Sequence, residues 1–299
     1  MSLSDSDLDR LRTDGYTLVP DFLDAATLER CHAELARYFP TGAELAAAPD
    51  RYRGLRKSAG FPYDGDTLNQ VCTDPRIISF TARVLGRDDI RLGDSILQAK
   101  YGPALGAGND QRLHNDAWGR NTLVHPGDDP IYQRVFGIVY YTDVTAETGP
   151  TWVVPHRYAR DVPLLSDEGY SAYDRAEFPE LYEAAQPVEA PAGALLLFTG
   201  KTVHRGSAVT APTAHRFALF LNFHSAAATW LDKQSWAGSP ASPTGPALRR
   251  FVESATPRQR ELLGFPPPGA PYWTDLTIAG LRQLYPGMDI SPYATATAA

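Results

Sequence analysis

The sequence predicts a mainly β fold with flanking helices, built on a double-stranded β-helix: an antiparallel double-sheet jelly roll. Three observations lead there. Runs of strand length, rich in Val, Ile, Leu, Phe and Tyr, follow one another at short spacing between residues 89 and 225. The 25 prolines and 24 glycines punctuate them with turns. Helical spacing of apolar residues is concentrated at the two ends, residues 1–88 and 226–299.

In order along the chain, residues 3–13 read as a short helix with Leu3, Leu8 and Leu11 apolar and Gly15 as its stop. Residues 16–19 are a strand closed by Pro20-Asp21. Asp24 can cap a helix over 25–38, where Leu28, Cys31, Leu35 and Phe39 share a face and His32 reads as a surface or helix-boundary residue. Residues 41–66 are loop-like. Their Arg51, Arg53, Arg56 and Lys57 suit either a solvated loop or a mobile flap carrying charge to an acidic substrate. Asp74-Pro75 opens another helix that ends near Leu85-Gly86. Apolar and polar residues are interleaved over 90–101, which sets Gln98 and Lys100 on one face of a strand. After a Gly/Pro/Asn-rich loop at 102–110, strands are expected at 135–141, 151–155, 194–198 and 216–224. An insertion over 157–190 carries a helix at 174–185. The run 194–198 is apolar throughout, as in a fully buried strand. Helices at 247–263 and 274–285 complete a C-terminal extension over 226–299. No boundary divides the chain, so residues 1–299 are expected to form one domain.

Bulk properties exclude several classes. A formal net charge of -7 gives no basic footprint for nucleic acid. No apolar run is long enough to span a membrane, and the polar, acidic start has no signal-peptide pattern. Two cysteines, Cys31 and Cys72, make no disulfide framework, and a reduced, cytoplasmic setting is expected. Any metal site must therefore rest on His and carboxylates.

One such site can be read from spacing. His114 and Asp116 are two residues apart, so on an extended strand both side chains point to one face. His204, in Lys201-Thr202-Val203-His204-Arg205-Gly206-Ser207, would supply a second imidazole from a distant strand. Two His and one carboxylate on one face of an octahedral metal leave three positions open, the non-heme Fe(II) arrangement. A polar pair on a solvated loop would show the same His-x-Asp spacing. Trp118, Tyr140, Tyr141 and Trp152 are candidates to line the substrate side, or simply core packing, and His156 is a further candidate for a substrate contact. His215 is, like His156, a candidate for a cosubstrate or substrate contact, and His125 and His224 are weaker candidates, as metal ligands.

Several segments together resemble the phytanoyl-CoA dioxygenase-like family of Fe(II)/2-oxoglutarate oxygenases. Asp14-Gly15-Tyr16-Thr17-Leu18-Val19-Pro20-Asp21-Phe22-Leu23 is similar to the family's N-terminal segment. His114-Asn115-Asp116 resembles its first metal motif, Thr148-Gly149-Pro150-Thr151-Trp152-Val153-Val154-Pro155 its Gly-Pro segment, and His204-Arg205-Gly206-Ser207 its distal His motif. Three departures stand out. His156-Arg157-Tyr158 follows Pro155 where the family has Gly-Ser-His, Arg205 intrudes after the distal His, and His215 directly precedes Arg216.

The resemblance implies Fe(II) held by His114, Asp116 and His204, with 2-oxoglutarate as cosubstrate and O2 as oxidant. It assigns the far carboxylate of 2-oxoglutarate to Arg216, a planar guanidinium suited to bidentate binding, with Ser207, Thr202, Gln98 or Lys100 assisting. His215 competes with Arg216 for that position. Halogenating relatives replace the metal carboxylate with Ala or Gly, so Asp116 implies oxidation of a C–H bond of a small-molecule metabolite, with hydroxylation favoured. Two alternatives remain: a non-catalytic metal-binding jelly roll, and a cupin-type dioxygenase that does not use 2-oxoglutarate. A place in secondary metabolism is implied by family analogy alone.

Overall fold

The computed structural model describes residues 3–105, 110–116, 130–163, 172–228, 245–270, 272–273, 278, 281–282 and 285–294. Two antiparallel sheets face each other. The larger contains β1 (Tyr16–Val19), β2 (Ser58–Gly60), β3 (Ile90–Tyr101), β5 (Arg134–Tyr140), β9 (Leu195–Thr199) and β11 (His215–Ser225), in the order β1-β9-β5-β11-β3-β2. The smaller contains β4 (Leu113–His114), β6 (Thr151–Val153), β7 (Ala172–Tyr173), β8 (Gln186–Val188) and β10 (His204–Gly206), in the order β7-β4-β10-β6-β8. This is the jelly-roll core, with helices flanking it.

The larger sheet is buried on both faces, which explains why β9 is apolar throughout. Its inner face (Ile138, Leu196, Phe198, Ala218) packs on Val153 and Val188 of the smaller sheet. Its outer face (Leu92, Leu97, Leu219, Phe223) packs on the N-terminal helices, with Leu68 and Phe80 among the contacts. Those helices are α1 (Asp5–Asp14), α2 (Ala25–Leu35), α3 (Gly42–Ala47), α4 (Asp66–Cys72) and α5 (Pro75–Leu85). Local chemistry sets their ends. Ser4 and Asp7 form a capping box on α1, and Gly15 closes it at φ 86°, a left-handed conformation that Gly adopts without strain. Asp74 caps α5, and Pro75 takes its first position.

Several expectations are corrected. Residues 41–66 hold α3 and the edge strand β2, whose Ser58 pairs with Gln98, so this segment belongs to the sheet rather than to a free flap. α2 stops at Leu35, three residues short of the expected end. The insertion 157–190 is not merely a helix. β7 pairs with β4 and β8 with β6, so it supplies both edges of the smaller sheet around α6 (His156–Ala159) and α7 (Pro179–Ala184). The helix expected at 247–263 is two, α8 (Gly245–Ser254) and α9 (Pro257–Leu262), because Thr256 forms a new capping box ahead of Pro257. Most of 274–285 lies outside the described residues.

Candidate metal centre and cosubstrate pocket

β10 lies between β4 and β6 and pairs His204 with His114 in register. The two imidazoles therefore meet across strands, their ring centres 4.5 Å apart. Asp116 does not lie on the strand as expected. β4 ends at His114, and Asp116 occupies a bend, held where its N–H donates to the Gly200 carbonyl at 2.9 Å. The convergence survives the change. Nε2 of His204 is 3.5 Å from one carboxylate oxygen of Asp116, and Nε2 of His114 is 3.9 Å from the other. One ligand atom from each of the three residues lies within 4.8 Å of the rest. These separations exceed hydrogen-bond length and leave room for a cation between the donors.

The partners of the remaining ring nitrogens were not legible in the sequence. Nδ1 of His114 is 2.9 Å from the Arg112 carbonyl, and Nδ1 of His204 is 2.9 Å from the Thr202 carbonyl. A carbonyl can only accept, so each Nδ1 carries the proton and each Nε2 presents its lone pair to the centre. Burial pushes the His204 imidazole down to about 4, a depression that His114 reinforces and Asp116 opposes. A neutral His204 is what metal ligation requires. The donor set fits a divalent iron.

A cavity of about 300 Å³ opens beside this triad, lined at one end by Gln98, Lys100, Gln111, Thr151 and Arg216. Arg216 is 2% exposed. One of its terminal nitrogens donates to the Gly149 carbonyl, and its Nε has no partner among the described residues. Burial lowers its pKa from the ordinary arginine value. Lys100 donates from Nζ to the Ser207 carbonyl at 3.0 Å, and burial, with Arg216 nearby, pulls its ammonium down to about 8. Gly206 makes room for this end: a Cβ there would lie 2.9 Å from Gln111 Oε1 and 3.0 Å from Lys100 Nζ.

Strand alternation turns His215 and Arg216 to opposite faces. Arg216 lines the cavity, while His215 turns to the other face, accepts the Gly42 N–H at 3.2 Å and stacks near Tyr101. The same alternation corrects other expectations. Tyr141 is buried in the helix-side core and takes no part in the cavity wall. Its neighbour Tyr140 faces inward, donating to Thr151 Oγ1 at 2.9 Å. Trp152 also turns outward and lies under Arg205, 5.0 Å from the guanidinium, with Arg205 paired to Asp110. Arg205 thus faces away from the cavity, so its intrusion into the distal His segment leaves the wall undisturbed.

Thr202 acts through its carbonyl. Its hydroxyl donates to Gly15 O at 2.6 Å, away from the cavity. Ser207 likewise spends its hydroxyl on Pro150 O, at 2.7 Å. His156 packs its ring against Gly15 and lines a separate cavity with Arg12, Arg134 and Lys201. His32 is exposed near the end of α2, as expected, and its Nε2 also meets the Tyr141 carbonyl. His224 sits at the far end of β11 and bonds the Ser225 carbonyl at 2.8 Å. Trp118 and His125 lie outside the described residues. Sequence reasoning missed Gln111, Asp94, Asn222 and the aromatic wall of Phe136, Phe198 and Phe220. Asn222 and Phe220 could have been found, because they share the strand parity of Arg216.

A jelly roll with two imidazoles and a carboxylate converging beside a buried arginine has the architecture of a mononuclear non-heme iron oxygenase. The family model for phytanoyl-CoA dioxygenase (PhyH) matches residues 11–217, and the chain belongs to that family. It is an oxygenase that depends on iron and 2-oxoglutarate. No curated protein matches the sequence. Solved structures similar in fold include the epimerase SnoN from nogalamycin biosynthesis, in complex with Fe3+, alpha ketoglutarate and nogalamycin RO. It is 20% identical, with a TM-score of 0.55, covering 79% of this chain and 91% of that one. The carbocyclase SnoK from the same biosynthesis is 17% identical, with a TM-score of 0.54, covering 75% and 85%. HygX from Streptomyces hygroscopicus, with nickel and 2-oxoglutarate bound, is 17% identical, with a TM-score of 0.54, covering 75% and 88%.

Proposed function

We propose that His114, Asp116 and His204 hold the iron, that Arg216 receives the far carboxylate of 2-oxoglutarate with Lys100 and Gln98 beside it, and that the reaction hydroxylates a C–H bond of a small-molecule metabolite. The observation that carries this reading is the placement of a buried arginine with an unpartnered Nε in the same cavity as three converging metal donors. A guanidinium taken out of water needs an anionic partner, and a dicarboxylate reaching from the triad supplies one. Bound iron would supply activation of O2, with 2-oxoglutarate giving up CO2 to become succinate and the second oxygen atom going to substrate.

The chain's own residues do the rest. The Arg112 and Thr202 carbonyls fix the imidazole tautomers. Asp116 would give the set its negative charge and, as a ligand, would leave no place for a halide. Lys100 and Arg216 concentrate positive charge at one end, where a carboxylate of the cosubstrate would be held. Epimerisation, desaturation and ring closure begin from the same removal of a hydrogen atom. Two of the structurally similar proteins are an epimerase and a carbocyclase, and a role in secondary metabolism is read from that company. Among the described residues no helix can cross a membrane, and both cysteines are free and buried. We read the enzyme as cytoplasmic, acting on small molecules rather than nucleic acid.

The test is an anaerobic titration of the purified protein with Fe(II) and 2-oxoglutarate, followed by visible absorption, alongside Asp116→Ala and Arg216→Ala. A charge-transfer band that requires both additions and is lost in both variants supports the reading. Iron binding without any such band would return the protein to a non-catalytic metal-binding jelly roll or a cupin-type dioxygenase without 2-oxoglutarate.

A further inference from the structure

The cavity has two chemically different ends. Arg216 and Lys100 are cross-strand partners on β11 and β3, and they make one end cationic. Six residues further along β11, Asn222 partners Asp94 on β3, and both line the same cavity. At about 3.4 Å per residue, the two pairs stand roughly 20 Å apart along the sheet. The wall between them is apolar: Ile96, Phe136, Ile138 and Phe220. Ile96 is 36% exposed there, beside the exposed edge strand β2.

Asp94 faces the cavity because of a specific backbone irregularity. Ile90 and Leu92 point to the helix-side core, as do Leu97, Ala99 and Tyr101. The parity changes between Leu92 and Leu97. It changes because the register slips: Asn222 pairs with Asp94 but Phe223 pairs with Leu92, leaving Gly93 without a partner in the ladder. A regular strand would have turned Asp94 into the apolar core beside Leu92. The bulge turns it to the cavity instead, and bulges of this kind re-aim side chains next to functional sites. A glycine within a strand pattern is the sequence signal for one.

We propose that Asp94, with Asn222 beside it, is a substrate-binding residue, and that it selects a small molecule carrying a protonated amine next to an apolar portion. This rests on the reading that the Arg216 end takes 2-oxoglutarate. Among the described lining residues, Asp94 is the carboxylate left over once Asp116 is given to the metal. An ammonium group would carry the charge opposite to this carboxylate, and the faces of Phe136 and Phe220 favour a cation as well. The apolar wall then lays the rest of the molecule toward Phe198, whose ring is 4.6 Å from that of His204. Phosphate-rich carriers meet like charge at this end, so a coenzyme A thioester is a poor fit despite the family's name.

The test uses the full-length protein at neutral pH with saturating 2-oxoglutarate. Binding of cyclohexylamine, cyclohexanol and cyclohexanecarboxylate is measured by ligand-observed NMR. The amine should bind at least about ten-fold tighter than the carboxylate, and Asp94→Asn should weaken the amine by about ten-fold while leaving the alcohol within about two-fold. Asn keeps the acceptor for the Ser95 N–H that Asp94 now bonds at 2.8 Å, and retained alcohol binding reports an intact pocket. Equal binding of amine and carboxylate, or an amine preference unchanged in Asp94→Asn, overturns the proposal. If the preference is present and lost in Asp94→Asn while no iron and 2-oxoglutarate band forms, the assignment of Asp94 stands and the cosubstrate reading has failed instead.

Discussion

The two sheets divide the work unequally. The larger is made of strands as long as twelve residues, with β3 and β11 paired along almost their whole length. It is buried on both faces and carries the apolar mass of the protein. The smaller is made of strands two or three residues long. All three proposed metal ligands come from it or from the bend that follows it. The larger sheet contributes Arg216, Lys100 and Gln98, side chains that reach inward from a rigid platform. Stability and chemistry are thus concentrated in different layers, and a substitution should affect one more than the other.

The largest effect is expected at the triad. Asp116→Ala should abolish succinate formation, a loss of more than about 100-fold, because changes to mere outer partners of metal ligands already cost 10–100-fold. Its melting temperature should stay within about 3 °C of wild type. A large drop in melting temperature would mean that the smaller sheet is also a stability element. The mirror experiment is Leu219→Ala. Leu219 is fully buried against the helices, and its loss should cost about 2–5 kcal/mol in denaturant unfolding. The affinity of the folded fraction for 2-oxoglutarate should be unchanged, and a matching loss of affinity would show that the layers are not separable.

Lys100 sharpens the comparison through pH. Burial holds its pKa at about 8 in the folded protein, below the ordinary lysine value of 10.5. Between those values the unfolded chain holds the proton more tightly, so this group's contribution to stability rises with pH from about 8 to 10.5. Cosubstrate affinity should move the other way, weakening as the ammonium loses its proton above about 8, and Lys100→Met should flatten that profile. The smallest effect belongs to Ser207→Ala. Its hydroxyl bonds Pro150 O, and only its carbonyl meets Lys100. The expected loss is about 1 kcal/mol of stability, with 2-oxoglutarate affinity within about two-fold. A large affinity loss would restore the hydroxyl to the cosubstrate.

How well each region could be read follows the same division. The limits of β3 coincide with the expected 90–101, because twelve residues of interleaved apolar and polar side chains leave little freedom in period. β5 was expected at 135–141 and runs Arg134–Tyr140. For a strand, what counts is not the boundary but the phase: Tyr140 faces Thr151, and Tyr141 faces the helices. The short strands β2, β7 and β8 have no period to detect, so residues 41–66 and 157–190 read as loop and insertion. His114, Asp116 and His204 were legible because a motif preserves ligand type and spacing even where the backbone is a bend.

By itself, the sequence determined the jelly-roll class, the family, the donor types of the triad and the cation on the last strand. Each of these depends on local pattern or on residue chemistry, which a linear chain carries in full. Tertiary structure decided which carbonyls set the imidazole tautomers, that Arg216 rather than His215 enters the cavity, that Trp152 and Tyr141 turn away from it, and that a slip at Gly93 turns Asp94 inward. Those outcomes depend on register between strands far apart in the sequence. A shift of one residue exchanges the faces of a strand, and only the packed pair of sheets chooses between them.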